Sequence, residues 1–508
     1  MILVTLQAAI DAAGTLQTFY YSTDRYVTSP SDTPPNVAFE AGLVDAGSLG
    51  VSAFSDGKTG GASSLQIGEI VVANDDGMLD ALMTYSFDGR AVSIYSGDPS
   101  AAFPSGFSLV FTGTVESVEA DWQKIIFRLK DKEWKLSLPV LTTLYAGTNS
   151  LPNGLEGTVS DLKGKVKPRV YGQVYNVPTA FVNTSKLTYQ VSDIAVADIQ
   201  AVYDRGVSVT KGADFANSTL LQAATPAAGT YVTCFAEGYF RLGTTPSGII
   251  TADVLQGANA AARTAAQIIK TLGLASGLSV GEISSADVTA LDAANSNVIG
   301  VFIDSDAHYT AVMDDIANSV GAFHSFDGQG VLRMGQLTAP SGTPIVTLEE
   351  FDIMEGVSRK PPKDNGLPLW RVTVGHTKIY TVQNSDLAGA VTAVQRAILE
   401  QEYRTEASAD ASVKTQWLLA DEFRRDTLLT SAANAATEAA RLLAMYKVQR
   451  TVYEVGIDLS VFTSNSLKML DVVALKINRF GMSSGKSFRI IGYNISLSDN
   501  RVILSMWG

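Results

Sequence analysis

The chain changes texture twice along its length, and that constrains its fold more than any single motif. Residues 1 to about 145 are short alternating segments broken by Gly, Asp and Asn: "TLQTFYYSTD", "RAVSIYSGD", and the long pair in "FSLVFTGTVESVEADWQKIIFRLKD", joined near Ala120-Asp121. Such spacing predicts a barrel or sandwich. "MILVTLQAAIDAAG" has no basic leader and is interrupted by Asp11, so it is read as a first strand, not a signal peptide. "NDDG" at 74–77 lacks the acid spacing of a calcium loop and is read as a tight hairpin turn. "TSPSDTPPNVAF" and "SDGKTGGASS" are loops by their prolines and glycines.

From about 146 to 345 strands alternate with helices. "KLTYQVSD", "AVYDRGVSVT" and "YVTCFAEGYFRLGTT" read as strands. "ADVLQGANAAARTAAQIIKTLGL" reads as a helix ending at Gly273, and "HYTAVMDDIANSV" as a second ending at Gly321. "AFHSFDGQGVLRMGQL" reads as a hairpin. After 346, "LWRVTVGHTKIYTV" is strand, and "DLAGAVTAVQRAILEQEYRTE" and "SAANAATEAARLLAMYKVQR" are helical. Four terminal segments, "TVYEVGIDLSVF", "MLDVVALKINRFG", "SFRIIGYNISLS" and "RVILSMWG", are strands again. The expectation is a β-rich α+β protein: two antiparallel β-barrel domains flanking a mixed α/β middle region. Its domains are 1–145 (β-barrel), 146–345 (mixed α/β) and 346–508 (helices plus a second β-barrel). The length of 508 residues accommodates about three domains at ~150 residues each.

Chemistry-bearing patterns are scarce. There is no HExxH or P-loop, and no GxGxxG opening a helix. His308, His324 and His376 stand in no metal-ligand spacing; Asp304, Asp306 and His308 read as a polar turn with Asp306 as a helix cap. Cys234 is alone, so it can form no intrachain disulfide and no cysteine cluster. No catalytic, cofactor-binding or metal residue is nominated, no cofactor is expected, and the protein is expected not to be an enzyme. No run of about 18 apolar residues appears, so no membrane insertion by this chain is expected. The net charge of −13 makes nucleic-acid binding unfavourable by default and suits a passage through which DNA moves without sticking.

Against that charge, "LKGKVKPRVYGQVYNV" places Lys163, Lys165, Lys167 and Arg169 at alternate positions. One reading is a solvated strand edge whose lysines discourage stray pairing. The other is a docking surface for an acidic neighbour, including another copy of this chain. The four residues are the interface candidates, and replacing all four by Ser is expected to impair assembly more than monomer folding.

Several blocks together resemble a family of phage tail proteins, the trimeric baseplate or tail-tip hubs. They are "GKVKPRVYGQVYNVPTAFV" (164–182), "YFRLGTTPSGIITADVLQG" (239–257), "IANSVGAFHSFDGQGVLRMGQLTAP" (316–340) and the closing "INRFGMSSGKSFRIIGYNISLSDNRVILSMWG" (477–508); "IGEIVVANDDGMLDALMTYSFDGRAVSIYSGD" (67–98) is similar to the family's first domain in texture, so the resemblance covers nearly the whole chain. The resemblance implies a structural virion protein at the distal end of a tail tube. Two β-barrels in each of three subunits would make a pseudo-sixfold ring around a channel for DNA. It implies a homotrimer, with the tail tube or a distal tail protein, the tape measure protein and other baseplate or fibre proteins as partners. It also implies assembly in the host cytoplasm. The alternatives are a hexameric distal tail adaptor, a tail-associated cell-wall hydrolase and a carbohydrate receptor-binding protein.

Overall fold

Ile2–Ala9 opens the chain as a strand buried on both faces, which is why its sequence is almost unbroken apolar. Ile2, Val4, Leu6 and Ala8 enter the main β core. Leu3 points the other way, into an aromatic cluster of Tyr26, Phe39, Phe103 and Phe107, whose rings meet edge-on at 5.3–5.9 Å. The computed structural model describes residues 1–54, 59–60, 62–150, 152–360 and 366–508, so the loop "SDGKTGGASS" lies partly outside the described residues.

The N-terminal sheet has nine strands. In spatial order they are Tyr26–Val27, Ala38–Ala41, Leu16–Ser22, Ile2–Ala9, Ala91–Gly97, Phe107–Ala120, Lys124–Lys130, Glu69–Ala73 and Leu43–Asp45. Phe107–Ala120 slips register once against each neighbour, at Leu109/Phe111 and Val115/Ser117. Such bulges bend a long strand and add twist.

The C-terminal sheet is built from Thr347–Glu349, Val472–Lys476, Lys486–Ser496, Arg501–Trp507, Val452–Asp458 and Ser358–Lys360. Lys486–Ser496 is longer than its partner Val472–Lys476, and the spare length pairs with Ser48–Ser52 from the N-terminal region: Leu49 lies opposite Ile495 and Val51 opposite Tyr493.

Two chain segments therefore cross from one sheet to the other. Leu43–Asp45 belongs to the first sheet and Ser48–Ser52 to the second. On the return path Ser64–Ile67 belongs to the second and Glu69–Ala73 to the first. The crossing needs two glycines. Gly47 has φ +81°, and a Cβ on Gly68 would lie 2.5 Å from the Ser48 nitrogen. The Gly68 amide donates to the Ser48 carbonyl at 2.7 Å across this corner. Behind it, both chain ends fill one hydrophobic core. Ile70, Val72, Ile125 and Phe127 come from the first half, Val455, Leu475, Phe488 and Leu504 from the second. No ladder joins the first strand to the last in either strand order among the described residues.

The middle sheet is separate. Its nine strands are Ala180–Asn183, Thr188–Gln190, Tyr239–Leu242, Thr230–Cys234, Val207–Asp214, Asp198–Asp204, Ile250–Leu255, Arg169–Pro178 and Gly300–Ile303. It has its own core around Val174, Ile199, Tyr231, Phe240 and Val254. Helices Ala265–Ala275, Ser285–Ala294, Tyr309–Ser319 and Ala432–Tyr446 pack with the hairpin Ala322–Phe326/Leu332–Gln336 into a further core. The small sheet of Arg404–Ala409, Leu369–His376 and Asp421–Asp426 contributes Val372 and Val374 to that core.

Several local expectations change. The helix read from 252 begins only at Ala265, where Thr264 Oγ1 accepts the Gln267 amide at 3.3 Å; the β-branched run before it is the strand Ile250–Leu255. Gly273 does not end that helix. It is buried inside it, where a Cβ would meet Ile283 at 3.1 Å. Asn74–Gly77 does turn, with Gly77 at φ +71°, but it is not a hairpin. Glu69–Ala73 pairs with Lys124–Lys130, and the turn leads into the 3-10 helix Asp80–Thr84. The residue capping Tyr309–Ser319 is His308, not Asp306, and it makes no side-chain cap bond. Gly321, at φ +62°, follows that helix as expected. Among the described residues no helix is long and apolar enough to cross a membrane.

Candidate assembly surface

The basic alternation at 163–169 divides into a paired half, Lys167 and Arg169, and an exposed half, Lys163 and Lys165. Arg169 opens a strand of the middle sheet and points back onto Asp193. Its Nε and Nη2 donate to the two carboxylate oxygens at 2.7 and 2.6 Å, and Nη1 donates to the Val140 carbonyl at 3.2 Å. The side chains are 14% and 7% exposed. This bidentate pairing raises the guanidinium pKa further above its ordinary value, the Asp193 hydrogen bond being the largest cause. Lys167 Nζ lies 2.6 Å from Glu156 Oε1 and 5.2 Å from the centre of the Tyr145 ring. Tyr145 in turn donates to Gln190 Oε1 at 2.6 Å, and burial pushes its phenol pKa up.

Lys163 and Lys165 lie on the preceding turn, where Gly164 takes φ +80°, and both are exposed. The turn is pinned by backbone bonds: the Tyr145 amide donates to the Lys165 carbonyl and the Gly164 amide to the Tyr145 carbonyl, both at 2.9 Å. Alternation alone could not separate these roles, because it records only which side chains share a side. The missing signal is the acid opposite each cation, Glu156 and Asp193, which the fold supplies from 11 and 24 residues away. Beside the turn is a groove of about 470 Å³ whose wall includes Leu162, Lys165, Val166, Pro168, Phe181 and Phe302.

A larger cleft, of about 640 Å³, lies where the N-terminal sheet, the middle helices and the C-terminal sheet meet. Its charges are internally matched. Arg333 Nε is 2.8 Å from Asp287 and Nη1 is 3.6 Å from Asp327, while Arg489 donates to the Leu470 carbonyl and Thr338 Oγ1 at 2.7 Å each. Outside the cleft lining, Glu133 is reached both by the Leu65 amide and by the charge of Asp314 on helix Tyr309–Ser319. Burial, then the charges of Asp131 and Asp314, push Glu133 up to about 7, while the Leu65 amide opposes this. Asp131 is pushed up to about 6 by burial.

The histidines are scattered. His324 is buried with Nε2 2.9 Å from Asp314 Oδ1. His376 is buried with Nδ1 2.7 Å from Thr377 Oγ1, and burial lowers its pKa. Cys234 is buried, which raises its thiol pKa. Among the described residues no three His, Cys, Asp or Glu side chains converge as a metal set.

No known protein family and no curated protein matches the chain. Solved structures do. The tail protein from Neisseria meningitidis MC58 is 11% identical, with 100% of this chain and 96% of that chain covered and a TM-score of 0.45. A chain of the virion of a native gene transfer agent particle is 14% identical, with 71% and 89% covered and a TM-score of 0.44. The 43 kDa tail protein of prophage MuSo2 from Shewanella oneidensis is 10% identical, with 100% and 96% covered and a TM-score of 0.41. These solved likenesses belong to the group that the sequence blocks resemble, phage tail and virion proteins. Identities and scores at this level transfer no function to this chain.

Proposed function

We propose that the protein is a structural component of a phage tail, the hub that closes the distal end of the tail tube and joins it to the baseplate or tail tip. One observation carries this reading. The two ends of a 508-residue chain are welded into a single β core by strands that pass between sheets, while the middle sheet keeps its own core. A part that must stay rigid while DNA passes benefits from such a weld, since neither sheet can peel away without opening the shared core. The four sequence blocks resembling tail hubs span 164–508 and fall in both the middle and the C-terminal regions.

In this reading the protein has no catalytic role. Three copies form a ring in which each contributes two β modules, so that a threefold collar meets a sixfold tube. The net charge of −13 keeps the DNA path free of cations that would retain phosphate. Lys163 and Lys165 lie at the contact with a neighbouring subunit or tail protein. The partners are the tube or distal tail protein, the tape measure protein and fibre or baseplate proteins.

The test is the copy number and symmetry of the ring in intact particles. Three copies at the tip are expected. Six copies would replace the hub by a distal adaptor, and clearing of a peptidoglycan zymogram by the isolated protein would replace it by a wall hydrolase.

A further inference from the structure

At one end of the N-terminal sheet two turns lie side by side. The hairpin between Phe107–Ala120 and Lys124–Lys130 carries Trp122 at its tip, 91% exposed. The Asn74–Gly77 turn is held against it by the Asn74 amide, which donates to the Gln123 carbonyl at 2.6 Å. That turn adds Asp75 and Asp76, both exposed, and is followed by Met78, 79% exposed. Asp121 is spent inside the hairpin, accepting from the Gln123 and Lys124 amides. The result is a protruding knob: an indole and a thioether presented to solvent and fringed by carboxylates. An indole held out on a hydrogen-bonded hairpin gains nothing for the monomer, whereas Trp filling a pocket is a common anchor of protein interfaces.

The molecule also carries a complementary concave surface. The groove of about 470 Å³ is walled by Leu162, Val166, Pro168, Phe181 and Phe302, with Lys165 on its lining and Lys163 on the same turn. It has room for an indole ring, and both lysines are exposed while Lys167 and Arg169 are held by the chain's own acids. The knob is apolar with a negative fringe; the groove is apolar, and the two exposed lysines of its turn outnumber the one carboxylate on its lining, Asp304.

We infer that the knob of one copy, Trp122 with Asp75, Asp76 and Met78, docks in the Lys163/Lys165 groove of the next copy. The contact is heterologous: one surface of the chain meets a different surface of its neighbour, so successive copies run head to tail and close into a ring when the rotation permits. The apolar fit supplies the hold, and the charge match sets orientation and excludes wrong pairings. This deepens the hub reading by naming the contact that would build its ring.

The experiment uses full-length chains and measures assembly by sedimentation and mass photometry. Trp122→Ala is expected to weaken self-association about thirtyfold or more with the monomer's melting curve unchanged, because the side chain is exposed. Lys163→Glu with Lys165→Glu is expected to do the same. Mixing the two variants is the sharper arm. One retains a sound groove and the other a sound knob, so the mixture should form one-to-one pairs and no rings. Combining Asp75→Lys and Asp76→Lys with the two lysine reversals in one chain should restore rings. Wild-type assembly by Trp122→Ala, a wild-type chain that stays monomeric, or a mixture that forms no pairs overturns the inference. A threefold tip in particles built from Trp122→Ala would sink this contact and leave the hub reading standing. A sixfold tip with the contact intact would do the reverse.

Discussion

The terminal β unit and the middle sheet solve the same problem in opposite ways. The middle sheet takes its strands from one continuous stretch, 169–303, and fills its own core from within that stretch. The terminal unit is made from the two ends of the chain. Leu49 faces Ile495 across a ladder, and the main β core is filled by both sheets together. The first arrangement localises damage; the second spreads it. Loop-closure entropy for joining the ends must be met before their contacts form, so the terminal unit is also the natural late event in folding.

The largest expected effect breaks the middle sheet alone. Arg169→Ala leaves Asp193 buried without its cation, a change worth about 3–5 kcal/mol. Hydrogen exchange should show lost protection in 169–255 with the terminal strands unchanged. Gly68→Ala is the counterpart in the terminal unit. Its methyl must enter space 2.5 Å from the Ser48 nitrogen and 3.2 Å from the Gly47 Cα, both backbone atoms, at a cost of about 2–3 kcal/mol. Here exchange should rise in both Ile2–Ala9 and Arg501–Trp507. Loss confined to the first sheet would show that the corner does not couple the two.

The same difference decides what is legible in the sequence. The four terminal strands are legible because each obeys its own period; Val502, Leu504 and Met506 alternate inward along Arg501–Trp507. Nothing in Leu43–Ala73 announces that its strands serve two sheets, since a partner at the far end of the chain leaves no local pattern. The helix Ser285–Ala294 escapes a periodicity reading because it buries only Val288 and Leu291, too few to mark a face. The strand Ile250–Leu255 merges with the following helix in such a reading because alanines beyond it extend the apolar run. At the candidate surface the positions are legible and their roles are not, because the acids that claim Lys167 and Arg169 arrive only with the fold.

A smaller effect tests the seam between the terminal unit and the helix Tyr309–Ser319, which carries Asp314. Glu133 is pushed up to about 7 from an ordinary value of 4.5, with burial as the first cause. The folded state therefore holds this proton more tightly than the unfolded chain. Its contribution to stability is complete below pH 4.5, declines as pH rises from 4.5 to about 7, and is flat beyond. Glu133→Gln stays neutral throughout, so it should be more stable than wild type at pH 8 by about 1–2 kcal/mol, each tenfold difference in proton affinity between folded and unfolded chain being worth at most about 1.4 kcal/mol. Denaturant titrations at pH 4.5, 6 and 8 measure this. Asp131, pushed up to about 6 by burial, should leave a residual slope at the lower end. Equal pH dependence in both proteins would remove Glu133 from the seam.

The smallest effect on folding sharpens the comparison most. Replacing all four basic residues by Ser would confound two things, because Arg169 and Lys167 belong to the middle region's interior. Lys163→Ser with Lys165→Ser touches only exposed side chains, and its cost to monomer stability should stay within about 0.5 kcal/mol. Its effect on association should be large at low salt. The gap from wild type should narrow as salt rises, because the lost attraction is screened in water within about 10 Å at 0.1 M. Chemical denaturation reads the first quantity and sedimentation at low and high salt the second. A double variant that assembles like wild type at low salt would return both lysines to the role of a solvated edge. The middle sheet would then be a self-contained body whose charged turn plays no part in assembly.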